Sequence, residues 1–449
     1  MAKITDTRDT GMAAVSAADK RALDRRTMTL FLLTLTYFFS YMDRQILAIL
    51  LEDIKADLLL SDTQLGVLSG LAFALFYATL GIPVARLADK GNRRNIIAIS
   101  LALWSAMTAF CGLAQNFVQL LGARIGVGIG EAGSSPPSHS IIADLYPPDK
   151  RASAMAVFSL GVVLGGGLGT LIGGYLSDLY GWRVAIIAVG LPGILVAVVI
   201  RTFVVEPRRG LSDPATVVPA ERPTVKAGFV TLWREPAARH LVLAVTLTSL
   251  IAYALTAWSP AYFARSFGLS STQVALILGP LVAVVGTISG LAGGRLADRL
   301  GRTVGLHAQS WMVGGLKVVA FPFVVGIYLA GNVHLAVVCL GLAYLFQSSY
   351  LGPTFALIQG LAPIKLRAMW AAVTLLVINL VGLGIGPTAI GMLSDFYRPM
   401  YGEESLRYAL ITGAAVTPWA IWHYWRAGVH LKRRAATELA TIDVQCDRE

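Results

Sequence analysis

The chain has 449 residues, of which 55% are hydrophobic and only 14% charged, far from the roughly quarter-charged balance of a soluble globular protein. Its formal charge of +11 is scattered in short clusters between apolar runs, which excludes a nucleic-acid-binding domain with a concentrated basic face. Apolar runs of about 20 residues recur along it, and because a hydrocarbon core about 30 Å thick admits only segments that satisfy their own backbone, the sequence predicts an all-α membrane protein.

In chain order, the first 26 residues are polar and end in Lys20, Arg21, Arg25 and Arg26, with no apolar core or cleavage site, so 1–26 is expected to be a tail before a retained first span. Six spans are predicted at 27–51, 63–85, 95–114, 118–141, 151–176 and 183–204. The stretch 205–238 holds Pro207, Pro214, Pro219, Pro223 and Pro236 among charged residues and reads as a linker. Six more spans follow at 239–264, 272–296, 303–328, 334–359, 366–391 and 405–428, then a polar tail at 429–449. Two six-helix bundles, 27–204 and 239–428, are therefore expected on either side of the linker. Cys111 and Cys339 fall in apolar runs and Cys446 in the tail, so neither a disulfide framework nor a metal site is indicated.

Lys and Arg concentrate in alternate loops, as Arg86, Lys90, Arg93 and Arg94, then Lys150 and Arg151, Arg208 and Arg209, Arg299 and Arg302, and Lys365 and Arg367. By the positive-inside tendency those loops face the cytoplasm, and both termini with them. The opposite loops are short or acidic, with Glu52, Asp53, Asp57 and Asp62 after span one and Glu403 and Glu404 before span twelve. A small residue followed four positions later by Asp recurs after every third span: Ala85 to Asp89, Gly174 to Asp178, Gly294 to Asp298 and Gly391 to Asp395. Four three-helix units are implied, the nested-repeat construction of a rocking transporter.

The segment Gly294-Arg295-Leu296-Ala297-Asp298-Arg299-Leu300-Gly301-Arg302 resembles the loop signature of the major facilitator superfamily, and Ala85 to Arg94 is a degraded copy, with Ala85 and Asn92 where glycines are usual. The resemblance implies that superfamily's fold, twelve transmembrane helices in two pseudo-symmetric bundles. Asp89, Arg93 and Arg94, with Asp298, Arg299 and Arg302, are candidates for a cytoplasmic gate of charge-assisted hydrogen bonds between the halves. The alternative is charge that only sets topology. In span five, Gly161, Gly165, Gly169 and Gly173 recur every fourth residue and form a bare stripe for close helix approach. The end of that stripe looks like the superfamily's antiporter motif, with Thr170 where proline is usual.

Ionisable residues inside spans are costly and are kept for pathways or relays. Asp43 and Arg44 lie in the second half of span one, Arg124 and Glu131 in span four. Arg124, Gly128 and Glu131 follow i, i+4, i+7 spacing, so they share a face with room between the charges. At about 1.5 Å per residue, Asp43 lies about 24 Å from the inner end of span one and Arg124 near the outer end of span four, so an Asp43–Arg124 lock is expected with Glu131 about 10 Å deeper. Glu131 or Asp43 is the expected proton carrier, Arg124 its modulator, and a static bridge between the spans is the alternative.

Tyr41-Met42-Asp43-Arg44 and the run from Arg124 to Gly133 resemble spinster-type transporters of the bacterial kind. That resemblance implies lysolipid substrates such as sphingosine-1-phosphate and lysophospholipids, a bacterial inner membrane, and roles in coupling or headgroup binding for Asp43, Arg124 and Glu131. Arg44 or Arg124 is expected to meet an anionic headgroup. Tyr41, Tyr253, Tyr344, Gln347 and Asn379 are candidate cavity residues, Trp258, Tyr262, Ser348 and Tyr350 being further polar or aromatic positions in the same spans; core packing or interfacial anchoring is the alternative for each aromatic. Lys317, midway along span nine, is read as snorkelling or pairing, and His139 as a packed neutral imidazole. The expected protein is a monomeric proton-coupled carrier, not an enzyme, without cofactor, metal or nucleic-acid partner, moving lysolipid-like amphipaths or, alternatively, small organic anions or drugs.

Overall fold

The structure is a computed structural model describing residues 16–212 and 224–446, and no strand occurs among the described residues. A short helix, Ala17–Asp24, is capped by the Ser16 hydroxyl accepting from the Asp19 amide, and leads into span one, Arg26–Ile49, which Leu51–Leu58 prolongs. Span two is Asp62–Ser69 with Leu71–Lys90, span three Arg93–Cys111, and span four Phe117–Glu131 with Ser135–Leu145. Spans five and six are the two arms of Pro148–Phe203, which turns at Gly181 with a φ of 82°, a left-handed value that favours glycine. The second half runs through span seven, Pro236–Phe267, span eight, Ser271–Pro280 to Gly286–Thr303, and span nine, Leu306–Leu329. Span ten is Val333–Gln347 with Leu351–Leu361, span eleven Arg367–Val377 to Gly386–Tyr401, and span twelve Ser405–Ala414 with Thr417–Cys446.

Among the described residues, eight stretches are long and apolar enough to cross a membrane. Two of them double back, Pro148–Phe203 at Gly181 and Met369–Thr437 near Gly402, and so hold two spans each. Spans one and four complete the twelve expected helices. Span one falls short on hydropathy because it carries Asp43 and Arg44, and Phe117–Glu131 is only 15 residues long.

Three local features differ from expectation. Span four breaks after Glu131 instead of running straight through 118–141, because Pro136 and Pro137 have no amide hydrogen to give to the preceding turn. The connection between the halves contains a helix, Val225–Arg234, started by the Thr224 hydroxyl accepting from the Ala227 amide. Spans eleven and twelve run on to Tyr401 and Cys446, past the expected ends at 391 and 428.

The glycine stripe of span five seats span one. A Cβ on Gly161 would lie 2.7 Å from the Thr34 carbonyl, on Gly165 2.2 Å from the Phe38 carbonyl, and on Gly169 2.8 Å from the Met42 Cα. Both numbers climb together, so the two helices run parallel, as two odd-numbered spans must.

The two halves meet at one face and part at the other. On the face where the described residues begin and end, here the terminal face, Gly81 of span two and Gly286, Gly290 and Gly294 of span eight have no heavy atom within 4 Å of a built Cβ. Toward the opposite, far face the same spans are in backbone contact with the other half, Gly66 against Pro387, Gly70 against Gly384, and Gly174 against Ser271.

Candidate functional site

Ser40 and Arg44 stand one turn apart on span one and point at the same carboxylate of span four. Arg44 Nε and Nη2 donate to Glu131 Oε2 at 3.0 and 2.6 Å, and Ser40 Oγ donates to that oxygen at 2.8 Å. The other oxygen, Glu131 Oε1, is buried without a hydrogen-bond partner, and the residue is 1% exposed. The Arg44 guanidinium lies 4.7, 4.8 and 5.1 Å from the ring centroids of Phe73, Tyr77 and Tyr41, so aromatic faces surround a cation that a buried carboxylate balances.

The expected Asp43–Arg124 lock is not formed. Asp43 sits about 100° round span one from Arg44 and faces span three, where Thr108 Oγ1 donates to its Oδ2 at 3.0 Å while Oδ1 stays buried and unpartnered. Arg124 donates Nε to the Leu68 carbonyl at 3.2 Å and lies 5.5 Å from the Phe73 ring. Asp43 points to span three, while its neighbour Arg44 is the residue that reaches span four. Gly128 separates Arg124 from Glu131 as expected, and the space goes to span two: a Cβ there would meet the Phe73 carbonyl at 2.7 Å.

A cavity of about 250 Å³ lies between the halves, lined by Tyr41, Arg44 and Arg124 from the first and Tyr253 from the second. Gln45, Ser69, Phe73 and Thr256 complete its polar and aromatic lining and were not anticipated; Gln45 follows Tyr41 by one helical turn, the signal that could have found it. Tyr344 and Gln347 line a smaller apolar cavity of about 70 Å³ within the second half, with Thr256 shared between the two. Asn379, half-buried in the π-helical segment Ile378–Ile385, is not among the residues lining either. Trp258 and Tyr262 are core residues that donate to the Pro387 and Ile327 carbonyls. Lys317 is buried with its ammonium 4.7 Å from the Tyr350 ring of span ten, so of snorkelling and pairing with another helix it does the second, through an aromatic face.

The acidic far-face residues, read from sequence only as topology markers, seal the halves together. Arg265 of span seven donates to both oxygens of Glu52 at 2.6 and 2.8 Å and both of Asp62 at 2.7 Å, and Lys55 adds 2.6 Å to Asp62. Two repeat aspartates cap helices across the divide. The Asp62 and Thr63 amides that open span two donate to Asp395 at 3.1 and 2.7 Å, and the Thr272 amide and Ser270 hydroxyl that open span eight donate to Asp178 at 2.9 and 2.7 Å. Both helix starts carry the same capping box, Ser61 with Gln64 and Ser270 with Gln273.

At the terminal face, Arg93 is 1% exposed and is held within its own half and the start of the connection. It donates to Glu206 at 2.7 Å, Ser140 at 2.8 Å, the Pro207 carbonyl at 2.7 Å and Asp144. The Arg94 amide donates to the second Glu206 oxygen at 2.8 Å. Asp298 and Arg299 are exposed, and Arg302 Nε turns back to the Asp298 carbonyl at 3.3 Å. The Asp89 side chain lies outside the described residues.

Two helical halves that close at one face, part at the other and enclose a cavity with buried charges define a membrane transporter. The chain belongs to the major facilitator superfamily, in its spinster-like branch: the Major Facilitator Superfamily profile matches residues 33–387. It is 34% identical over 417 residues to an MFS-type efflux pump of Mycolicibacterium smegmatis, covering 93% of this chain and 96% of the relative. It is 27% identical over 405 residues to the sphingosine-1-phosphate transporter SPNS2 of Danio rerio, covering 84% and 78%. Its fold superposes with a TM-score of 0.83 on the crystal structure of a bacterial homolog to the human lysosomal transporter Spinster in an inward-facing and unoccupied conformation, at 30% identity over 91% of this chain and 98% of that one. The family is one of transporters rather than enzymes.

Proposed function

We propose that this chain is a proton-coupled carrier that alternates access by rocking residues 27–204 against 239–428, and that it moves lysolipid or sphingolipid-like amphipaths across a bacterial inner membrane. In this reading the terminal face and both chain ends are cytoplasmic, as the basic loops indicate, and the structure is the inward-facing state. The observation that carries the reading is the sharing of Arg44: one side of its guanidinium balances buried Glu131, and the residue also lines the cavity. An anionic headgroup entering the cavity competes for that cation. A buried carboxylate stripped of its counter-charge binds a proton, and the unpartnered Glu131 Oε1 is the open position. Headgroup and proton are thereby linked, each favouring the other. Arg124 offers a second cation at the same wall, and the apolar cavity of the second half takes the chain. In the opposite state, with the far-face seal broken, Asp298, Arg299 and Arg302, with Asp89, Arg93 and Arg94, would form the cytoplasmic gate.

The test is flux of lysophospholipid and sphingosine-1-phosphate in proteoliposomes with and without an imposed pH gradient. The wild type is expected to respond to the gradient, Glu131→Gln to keep some flux that no longer responds, and Arg124→Ala to lose most flux. A gradient response intact in Glu131→Gln would remove Glu131 from coupling. A second reading, a carrier of small organic anions or drugs, is favoured by the efflux pump that covers almost the whole chain. Flux of such compounds with none of either lipid would select it.

A further inference from the structure

On the terminal-face side, the start of span seven and the stretch 423–434 of span twelve hold cations and imidazoles with little carboxylate to balance them. His240 and His423 meet Nδ1 to Nδ1 at 2.8 Å, and His430, two turns further along span twelve, stacks on His240 at 5.5 Å between centroids. Arg239, Arg426 and Arg433 stand close enough to act electrostatically on these rings. Against them is Glu235, which Arg434 approaches to 3.9 Å. Arg426 carries a buried donor with nothing to bond: its Nε has no hydrogen-bond partner, and its guanidinium lies 5.9 Å from the Trp422 ring centroid. A guanidinium has five donors in a planar fork, and on half-buried Arg426 the buried Nε left unpaired calls for an acceptor.

The surroundings say what kind of acceptor. Trp419, Trp422 and Trp425 project outward from span twelve at 57%, 47% and 52% exposure, and rings with a polar edge settle at the headgroup level of a bilayer. Helix Val225–Arg234, joined to span seven through Glu235, shows Phe229 and Trp233 on its exposed side, stacked 5.7 Å apart, with Lys226 and Arg234 beside them. Its other side is fixed to span eleven, where Trp370 Nε1 donates to Thr231 at 3.1 Å. Basic side chains between two helices, framed by exposed aromatics, suit a phosphate that arrives on an acyl anchor.

We propose that Arg239 and Arg426, with the His240–His423 pair, form a binding site for the phosphate of an anionic lipid headgroup in the leaflet on the terminal face. Free phosphate shares the recognition chemistry but gains nothing from the exposed tryptophans. The site lies apart from the Arg44–Glu131 cavity and stands whether or not the transported compound is a lipid.

The experiment is native mass spectrometry of the purified, delipidated chain titrated with phosphatidylglycerol or with phosphatidylcholine of the same acyl length. Wild type is expected to hold phosphatidylglycerol at least tenfold more tightly. Arg239→Gln and Arg426→Gln should each weaken it about fivefold and together about thirtyfold, the loss expected of one and two surface cations. Lys150→Gln, an equal charge change on the other half, should leave it unchanged. Should the double variant fail to fold, the single variants decide the same question. The proposal is overturned if the folded variants keep the wild-type preference, if Lys150→Gln loses as much, or if inorganic phosphate alone at equal concentration displaces the lipid.

Discussion

Arg44 and Glu131 depend on each other in a way that the surface pairs of this chain do not. Removing one member of a buried pair leaves an uncompensated charge, whereas removing both leaves only a polar gap. Arg44→Met should therefore lower stability by about 3–5 kcal/mol, while Arg44→Met with Glu131→Gln should recover most of that loss, as read by thermal unfolding in detergent. A single variant no less stable than the double one would mean that the pair does not hold Glu131 in place. The four intramembrane charges were legible in the sequence because charge inside an apolar run is rare. Their partners were not, since reach along two helices fixes depth and leaves rotation open, and one step around span one separates Asp43 from Arg44. The Ser40 hydroxyl was invisible for a simpler reason: a serine in an apolar run usually bonds its own helix backbone.

At the scale of the helix, the seam between spans one and five gives the sharpest contrast between neighbouring positions. A methyl on Gly165 would lie 2.2 Å from the Phe38 carbonyl, while on Gly166 the nearest atom is Gln45 Cγ at 3.8 Å. Gly165→Ala should cost about 1–3 kcal/mol by forcing the helices apart, and Gly166→Ala should be neutral or slightly stabilising, since alanine is the better helix former. Melting both variants in one detergent decides this, and equal melting points would dismiss the seam as a constraint. The stripe itself was readable from its four-residue period, but nothing local names the helix that fills it. The kink of span four was signalled by Pro136 and Pro137. The helix Val225–Arg234 was hidden in a proline-rich stretch, although Thr224 before an amphipathic run is a start signal.

For the whole molecule, Asp178 and Asp395 do the same task from opposite halves: each comes from the end of an odd-numbered span and caps the first turn of a span in the other half. Substituting either by Ala should weaken far-face closure by about 1 kcal/mol, about fivefold in the population ratio, and both together by about thirtyfold. Spin labels at Leu59 and Glu403, exposed residues of the two halves near that face, would report this as growth of the long-distance population. An unchanged distance distribution in the double variant would assign closure to Arg265 alone. The repeat of small residue and aspartate was visible in the sequence, as was the twelve-helix plan. Its role as a seal was not, because a cap on another half's helix leaves no local pattern.

Spans one and four, the two that lack a stretch long and apolar enough to qualify as a crossing by themselves, are also the two that supply Arg44 and Glu131. Each central charge makes a helix several kcal/mol harder to release into lipid. Span one leaves the ribosome before span four, and the carboxylate that balances Arg44 is synthesised almost ninety residues after it. The insertion of span one is therefore provisional: that helix has to be retained at the insertion machinery, or tolerated in the bilayer, until span four arrives and makes it a stable membrane segment.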